Sequence, residues 1–423
     1  MTRTSTTTHH ARPTSRRTFL AAAGATTALA ACGGPTSAEG RTSIRFFQNK
    51  PEVIEYFAGL VEEFNASQDE VFVEHDSSQT SLVAQFVRGD PPDVAAYNYN
   101  LETSNYVKTG VLSDLGDMPE AARVDPKYQA LVDQFATYED ETSVLPYSVT
   151  SAGVIYNVAL FEQAGLAVPT TWSQLLTACE TFQAAGVVPV ELTAREVWTL
   201  AQGLFDYTTG SALDVAAFFA ALKEGQDVSF TEDMGEAGEK MVQLASFAND
   251  DAASRTYADG NLAFGRGEAA MYLQGPWALG EIAKVDPQLQ VATFPLPATE
   301  NPDEARARVN LDLSLWIPRS SAQPEAARTF ISWLMSPEVI DRYNGDNLAT
   351  SPLLDAPALQ DPRVAGLQPS LDAGRIYQGA NTYVPPTIPI GNYIQDAVLS
   401  GDSDTLLRRL DEDWGRLAAR GAV

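Results

Sequence analysis

The run LPYSVTSAGVIYNVALFEQAGLAVPTTWSQLLTACETFQAAGVVPVEL, residues 145–192, decides how this chain is organised. Its spacing of apolar residues predicts a strand from Ala152 to Tyr156, a short helix around Phe161 and a turn at Gly165. Pro169-Thr170-Thr171-Trp172 then starts a longer helix, and another strand follows Gly186. The same alternation appears upstream. In residues 42–76, Ser43 to Phe47 reads as a strand rich in β-branched and aromatic residues. Val53, Ile54, Phe57, Leu60, Val61 and Phe64 keep the spacing of one helix face, with Pro51 in the first turn and Asn49 or Lys50 near the cap. Val71 to Glu74 closes a β-α-β unit, which implies a parallel sheet with the helix packed on it. Leu82 to Val87 reads as helical and PPDVAAYN (91–98) runs into a third strand. Tyr97 and Asn98 fall at its carboxyl end, where ligands of open α/β sheets sit.

The first residues follow a different logic. In SRRTFLAAAGATTALAACGG (15–34) the apolar run from Phe19 to Ala31 is shorter than the roughly 20 residues that a membrane helix needs. Arg3, Arg12, Arg16 and Arg17 precede it and small residues crowd its end, the order of a secretory signal. Arg16-Arg17 with Thr18, Phe19 and Leu20 resembles the twin-arginine export signal. Leu29-Ala30-Ala31-Cys32 resembles the lipobox of bacterial lipoproteins, in which the cysteine is acylated and becomes the mature N-terminus. Residues 1–31 are therefore read as a signal peptide and 32–40 as a flexible linker, lipid-anchored at Cys32.

The four arginines of residues 1–31 are accompanied by no carboxylate, so the formal charge of −27 becomes −31 from Cys32 onward. Such a surface repels nucleic acid and anionic head groups. The remaining chain of about 390 residues exceeds one typical core, which predicts two domains. Beyond Cys32 the only thiol is Cys179, which falls in the predicted helix and reads as a buried apolar residue. His75 is the one histidine outside the leader, and its place in VFVEH reads as a surface strand position. Zinc capture by a His- or Cys-rich cluster is thereby excluded, and any His-dependent nucleophilic site would rest on that single residue. No Gly-x-Ser-x-Gly elbow and no phosphate loop ending in Gly-Lys-Ser or Gly-Lys-Thr occurs.

Three blocks carry a family resemblance. The first is Pro146-Tyr147, Tyr156-Asn157, Phe161, Ala164-Gly165, Pro169-Thr170-Thr171-Trp172 and Gly186-Val187-Val188-Pro189. The second is FGRGEAAMYLQGPW (264–277), and the third LWIPRSSAQPEAARTFISWLMSPEV (315–339). In this order they resemble the extracellular solute-binding proteins of ABC transporters, in the carbohydrate-binding branch of the family that includes maltose-binding proteins. The resemblance implies an α/β, two-lobed, periplasmic-binding-protein-like fold of type II, with the lobes joined by a hinge. The expected division is 41–149 plus 265–312 for the first lobe and 150–264 plus 313–423 for the second. It further implies a monomer without cofactor that captures a mono- or oligosaccharide between the lobes and passes it to membrane permease subunits. The alternatives are a lipid-anchored glycosidase-like enzyme and a binding protein for a non-sugar solute.

A sugar needs matched donors and acceptors for its hydroxyls and an aromatic face for its C–H patches. Candidates stand where the fold puts cleft loops. Asn49 and Lys50 follow the first strand, or else serve as cap and solvated lysine. Tyr97 and Asn98 end the third strand, and Tyr147 marks the first crossover. Trp198 follows TAREV, with Glu196 close by, although a tryptophan at helical spacing is often core. Gln274 and Trp277 occupy the loop of the second block, where the family frequently stacks an aromatic, so Trp277 is the leading sugar platform. Asn310 and Asp312 lie at the return to the second lobe, and Tyr377, Asn381 and Tyr383 precede the closing helix.

Overall fold

Residues 40–421 are described by a computed structural model, so the leader and the lipidation candidate Cys32 lie outside the described residues. Among the described residues ten strands form two sheets. They are β1 (Thr42–Phe47), β2 (Val71–Asp76), β3 (Val94–Tyr97), β4 (Leu145–Ala152), β5 (Val154–Asn157), β6 (Val188–Glu191), β7 (Ala269–Tyr272), β8 (Val291–Phe294), β9 (Ala307–Trp316) and β10 (Ile376–Gln378). The first sheet has the order β10-β9-β3-β1-β2, with β4 also on β9, and the second the order β6-β7-β5-β8.

The predicted β-α-β unit is present. β1 and β2 run parallel from Thr42↔Val71 to Phe47↔Asp76, and the helix Ile54–Ser67 buries Phe57, Leu60, Val61 and Phe64 between them. Its start differs from expectation. Asn49 and Lys50 do not cap it, because Lys50 to Val53 form a turn that leaves the Lys50 side chain free to reach across the sheet edge. Successive strand residues face opposite ways, so Phe46, Val94 and Leu315 meet this helix while Phe47, Ala95 and Trp316 meet Leu82, Val107 and Val132 on the other face. His75 is half-buried, its ring beside Phe46 and its Nε2 at 2.8 Å from the Gln48 carbonyl oxygen.

The run 145–157 is two strands where one was expected to begin at Ala152. β4 ends at Ala152 in the first sheet and β5 starts at Val154 in the second. Gly153 permits the switch, since a Cβ there would lie 2.4 Å from the Phe294 carbonyl oxygen. Downstream the expected pieces hold their type. Asn157 caps the helix Val158–Ala164, Gly165 closes it at φ +66°, and Thr171 caps Trp172–Ala184, which buries Cys179.

The expected lobe division is corrected by the strand pairing. Residues 269–272 and 291–294, placed beforehand in the first lobe, pair with β5 in the second sheet. Conversely, the helices Pro324–Leu334 and Pro337–Asp346 pack Phe330, Ile331 and Tyr343 against Phe46, Phe57 and Phe64 of the first lobe. The chain thus crosses at Gly153, returns through β9, and crosses again before its last two helices, Ile390–Ser400 and Ser403–Ala418, whose Ile394, Leu406, Leu410 and Trp414 join the second core. β9 is the main seam, pairing antiparallel with β4 from Ala152↔Arg308 to Leu145↔Leu315. At its second-lobe end the Arg308 Nε–H donates to Asp206 Oδ2 at 2.9 Å, with both side chains buried. Burial pushes the Asp206 carboxyl up, while Arg308 and the Asn381 backbone N–H pull it down.

Candidate ligand-binding cleft

The carboxyl ends of β1 and β3 face the second lobe across a cavity of about 810 Å³. From the first lobe it is lined by Lys50 and Glu52 after β1, Asn98 after β3, and Asp312 in β9. The second lobe lines it with Glu196, Trp198, Gln202, Tyr257, Asn261, Trp277, Glu281 and Lys284.

Glu196 organises two of the aromatics. Its Oε2 accepts from Trp198 Nε1 and its Oε1 from the Tyr257 backbone N–H, each at 3.2 Å. The two rings lie 5.1 Å apart in an edge-to-face pair, an arrangement that ring quadrupoles favour. Tyr257 opens the helix Tyr257–Gly265, fixed by a capping box between Thr256 and Asp259. Asn261 stands one turn further on the same face. The Tyr257 hydroxyl and Asn261 Oδ1 are buried without a partner of ordinary hydrogen-bond geometry. Burial, reinforced by the carboxylates of Glu52, Glu281 and Glu196, pushes the Tyr257 phenol up, so it stays a neutral donor.

Trp277 opens the helix Trp277–Val285, and its indole N–H donates to Gln274 Oε1 at 3.2 Å. Gln274 in turn donates to the Thr199 carbonyl at 3.4 Å. The indole folds back over Gly275, where a Cβ would come within 2.1 Å of the ring. Across the cavity Lys50 Nζ and an Asp312 carboxylate oxygen form an ion pair, both side chains mostly covered. Lys284 Nζ sits 2.7 Å from Glu281 on the same helix. Four carboxylates and two lysines therefore line the space, and each lysine is matched by a carboxylate. The remaining negative charge disfavours an anionic occupant.

Of the residues expected at the site, Lys50, Asn98, Trp198, Trp277 and Asp312 come together here. The others do not line it. Asn49 donates to the Ser78 carbonyl at 3.0 Å. Tyr97 packs its ring 6.0 Å from Phe47 on the sheet face. Tyr147 is fully buried between Phe57 and Tyr343, because its position in β4 points into the first core. Gln274 is buried behind Trp277, which it positions. Tyr383 stacks on Phe219 at 4.9 Å and donates to Gln134, closing the seam between the lobes. Sequence reasoning missed Glu52, Gln202, Tyr257, Asn261, Glu281 and Lys284. Tyr257 and Asn261 had a signal, an aromatic and an amide four residues apart at a capped helix start. Gln202 had none, since it lies in the π-helical turn Leu200–Phe205.

The chain belongs to the bacterial extracellular solute-binding protein family, whose model matches residues 50–340. A "Multiple sugar-binding protein" of Streptococcus mutans is 25% identical over 331 residues, covering 74% of this chain and 77% of its own. Among solved structures, RafE in complex with raffinose superposes with a TM-score of 0.78 at 20% identity, over 89% of this chain and all of that one. The apo form of RafE from Streptococcus pneumoniae gives 0.75 at 20% identity, over 90% of this chain and 99% of that one. The two-lobed fold of type II is that of these proteins, and the family places the chain outside the cytoplasm.

Proposed function

We propose that the protein is the substrate-binding component of an ABC importer that captures a mono- or oligosaccharide in the interlobe cleft and delivers it to membrane permease subunits. The observation that carries this reading is the pairing of chemistries across the cavity. Indole and phenol faces stand only on the second-lobe wall, beside its amides and the Glu281–Lys284 pair, and the Lys50–Asp312 pair, Glu52 and Asn98 face them from the first. Such a combination suits a neutral polyol, whose hydroxyls need donors and acceptors and whose C–H faces need an apolar platform. The printed names of relatives, a multiple sugar-binding protein and a raffinose complex, support the same solute class. Ligand contacting both walls favours the closed arrangement, and a permease that recognises that arrangement reads occupancy. The protein binds without turnover, as a monomer, and its twin-arginine-like leader and Cys32 export and tether it to the outer face of the cell membrane.

Calorimetry with mono-, di- and trisaccharides tests the reading, with micromolar or tighter binding of at least one sugar expected. Hydrolysis of a sugar, or heat from none of them, would overturn it. Incorporation of labelled fatty acid, lost in Cys32→Ser, checks the tether.

A further inference from the structure

Beside the main cavity lies a second chamber of about 250 Å³, which shares Asn98 and Gln202 with it. Asn310 and Asn381 bring the carboxamides that cap no helix to four, beside a fifth, Asn100, whose Oδ1 is taken by the Thr103 backbone N–H. All four residues are half-buried. Among the described residues none of these side chains has a hydrogen-bond partner. Asn98 is engaged through its carbonyl, by Thr103, and Asn381 through its backbone N–H, by Asp206. Their amide atoms stay open to the chamber, where an occupant can meet them. Arg308 also lines the chamber, and its Nη1 is buried without a partner while its Nε is committed to Asp206.

The chemistry of the lining defines what fits. A carboxamide offers two donors and an acceptor, and carries no charge. Hydroxyls, which both donate and accept, match such a set. The Arg308 charge is answered by Asp206, so the chamber lacks the free cation that a phosphate or carboxylate would require. No exposed aromatic face stands here, in contrast to the main cavity, because Tyr99 is buried to 1% exposure. An occupant is therefore held by its polar edges. Position adds a further point, since Asn310 belongs to the crossing strand β9 and Asn381 to the segment after β10, while Asn98 and Gln202 come from opposite lobes.

We infer that this chamber is a second sugar subsite, which takes a neutral end unit of an oligosaccharide whose adjoining unit occupies the aromatic cavity. The inference rests on the sugar reading above and narrows it to chains of two or more units, gripped at one end where the lobes are joined.

Calorimetry on the full chain tests it, using maltotriose, raffinose, xylotriose and triacetylchitotriose, each beside its component monosaccharides, with the double variant Asn310→Ala/Asn381→Ala. For the trisaccharide that binds wild type, the variant is expected to lose about tenfold or more in affinity, the scale of two hydrogen bonds. The affinity of its monosaccharide should change less than about twofold, and the melting temperature should hold. Should the double variant fold poorly, the single variants Asn310→Ser and Asn381→Ser, which touch only the chamber, carry the same contrast with a loss of about threefold each. Equal losses for both ligands, no loss for either, or a wild type that binds the monosaccharide as tightly as the trisaccharide would overturn the subsite and leave the sugar reading standing. Binding of no sugar at all overturns both.

Discussion

The first lobe meets the cleft with Lys50, Glu52, Asn98 and Asp312, side chains that end in charge or amide, whereas the second adds all three aromatics, Trp198, Tyr257 and Trp277, to polar side chains of its own. The second lobe's own carboxylate Glu196 is turned inward to hold two of those rings. This asymmetry suggests an order of events for the proposed ligand. A sugar gains most of its apolar contact on the second lobe alone, and the first lobe adds polar contacts as the cleft shuts.

Four expectations sharpen or break that comparison. The largest concerns pH and the second lobe. Burial pushes the Glu191 carboxyl, on β6 and 1% exposed, from 4.5 up to about 8, although Arg255 lies 3.4 Å away. Between those values the folded chain holds a proton that the unfolded chain releases. Stability therefore falls as pH rises from about 4.5 to about 8, by as much as about 4 kcal/mol, and levels off above. Urea unfolding at pH 5 and pH 9 measures the difference, and Glu191→Gln should flatten it; an unchanged slope would place the titration elsewhere.

Next comes the seam. Arg308→Met leaves the Asp206 carboxylate buried without its cation, at a cost of about 3 kcal/mol. Equal denaturation midpoints for variant and wild type would show that the crossing strand is not anchored by this pair.

Trp277→Ala removes the platform and should weaken sugar binding by about 2 kcal/mol, roughly thirtyfold, with little change in melting temperature. A large loss of stability would assign the ring to packing between the lobes. Smallest is the first-lobe change. Asp312→Asn breaks the ion pair with Lys50 and should weaken binding by about 1 kcal/mol, or roughly fivefold, read by calorimetry. A loss matching that of Trp277→Ala would erase the distinction between the walls.

Local patterning carried much of the fold. The β-α-β unit emerged almost residue for residue, because apolar spacing within 35 residues determines which face of the helix Ile54–Ser67 is buried. The break at Gly153 was not legible, since no turn residue other than the glycine itself separates the two strands and only the approach of Phe294 from a distant strand makes that glycine necessary. The lobe division failed for the same reason: β7 and β8 declare their lobe only by pairing with β5. At the site, residues at strand ends reached the cavity because topology places those ends there. Aromatics at crossovers were ambiguous, and Tyr147 and Tyr383 went to cores, as one residue of strand register or one turn of helix decides between core and cleft.

Both indole N–H groups in the cleft are already engaged, that of Trp198 by Glu196 and that of Trp277 by Gln274. The rings therefore present only their faces to a ligand, and a face does not distinguish an axial hydroxyl from an equatorial one by hydrogen bonding. For the proposed sugar, stereochemistry is read by the amides and carboxylates around the platform. Preference among epimers can then drift through single changes in those polar side chains while the aromatic scaffold stays as it is.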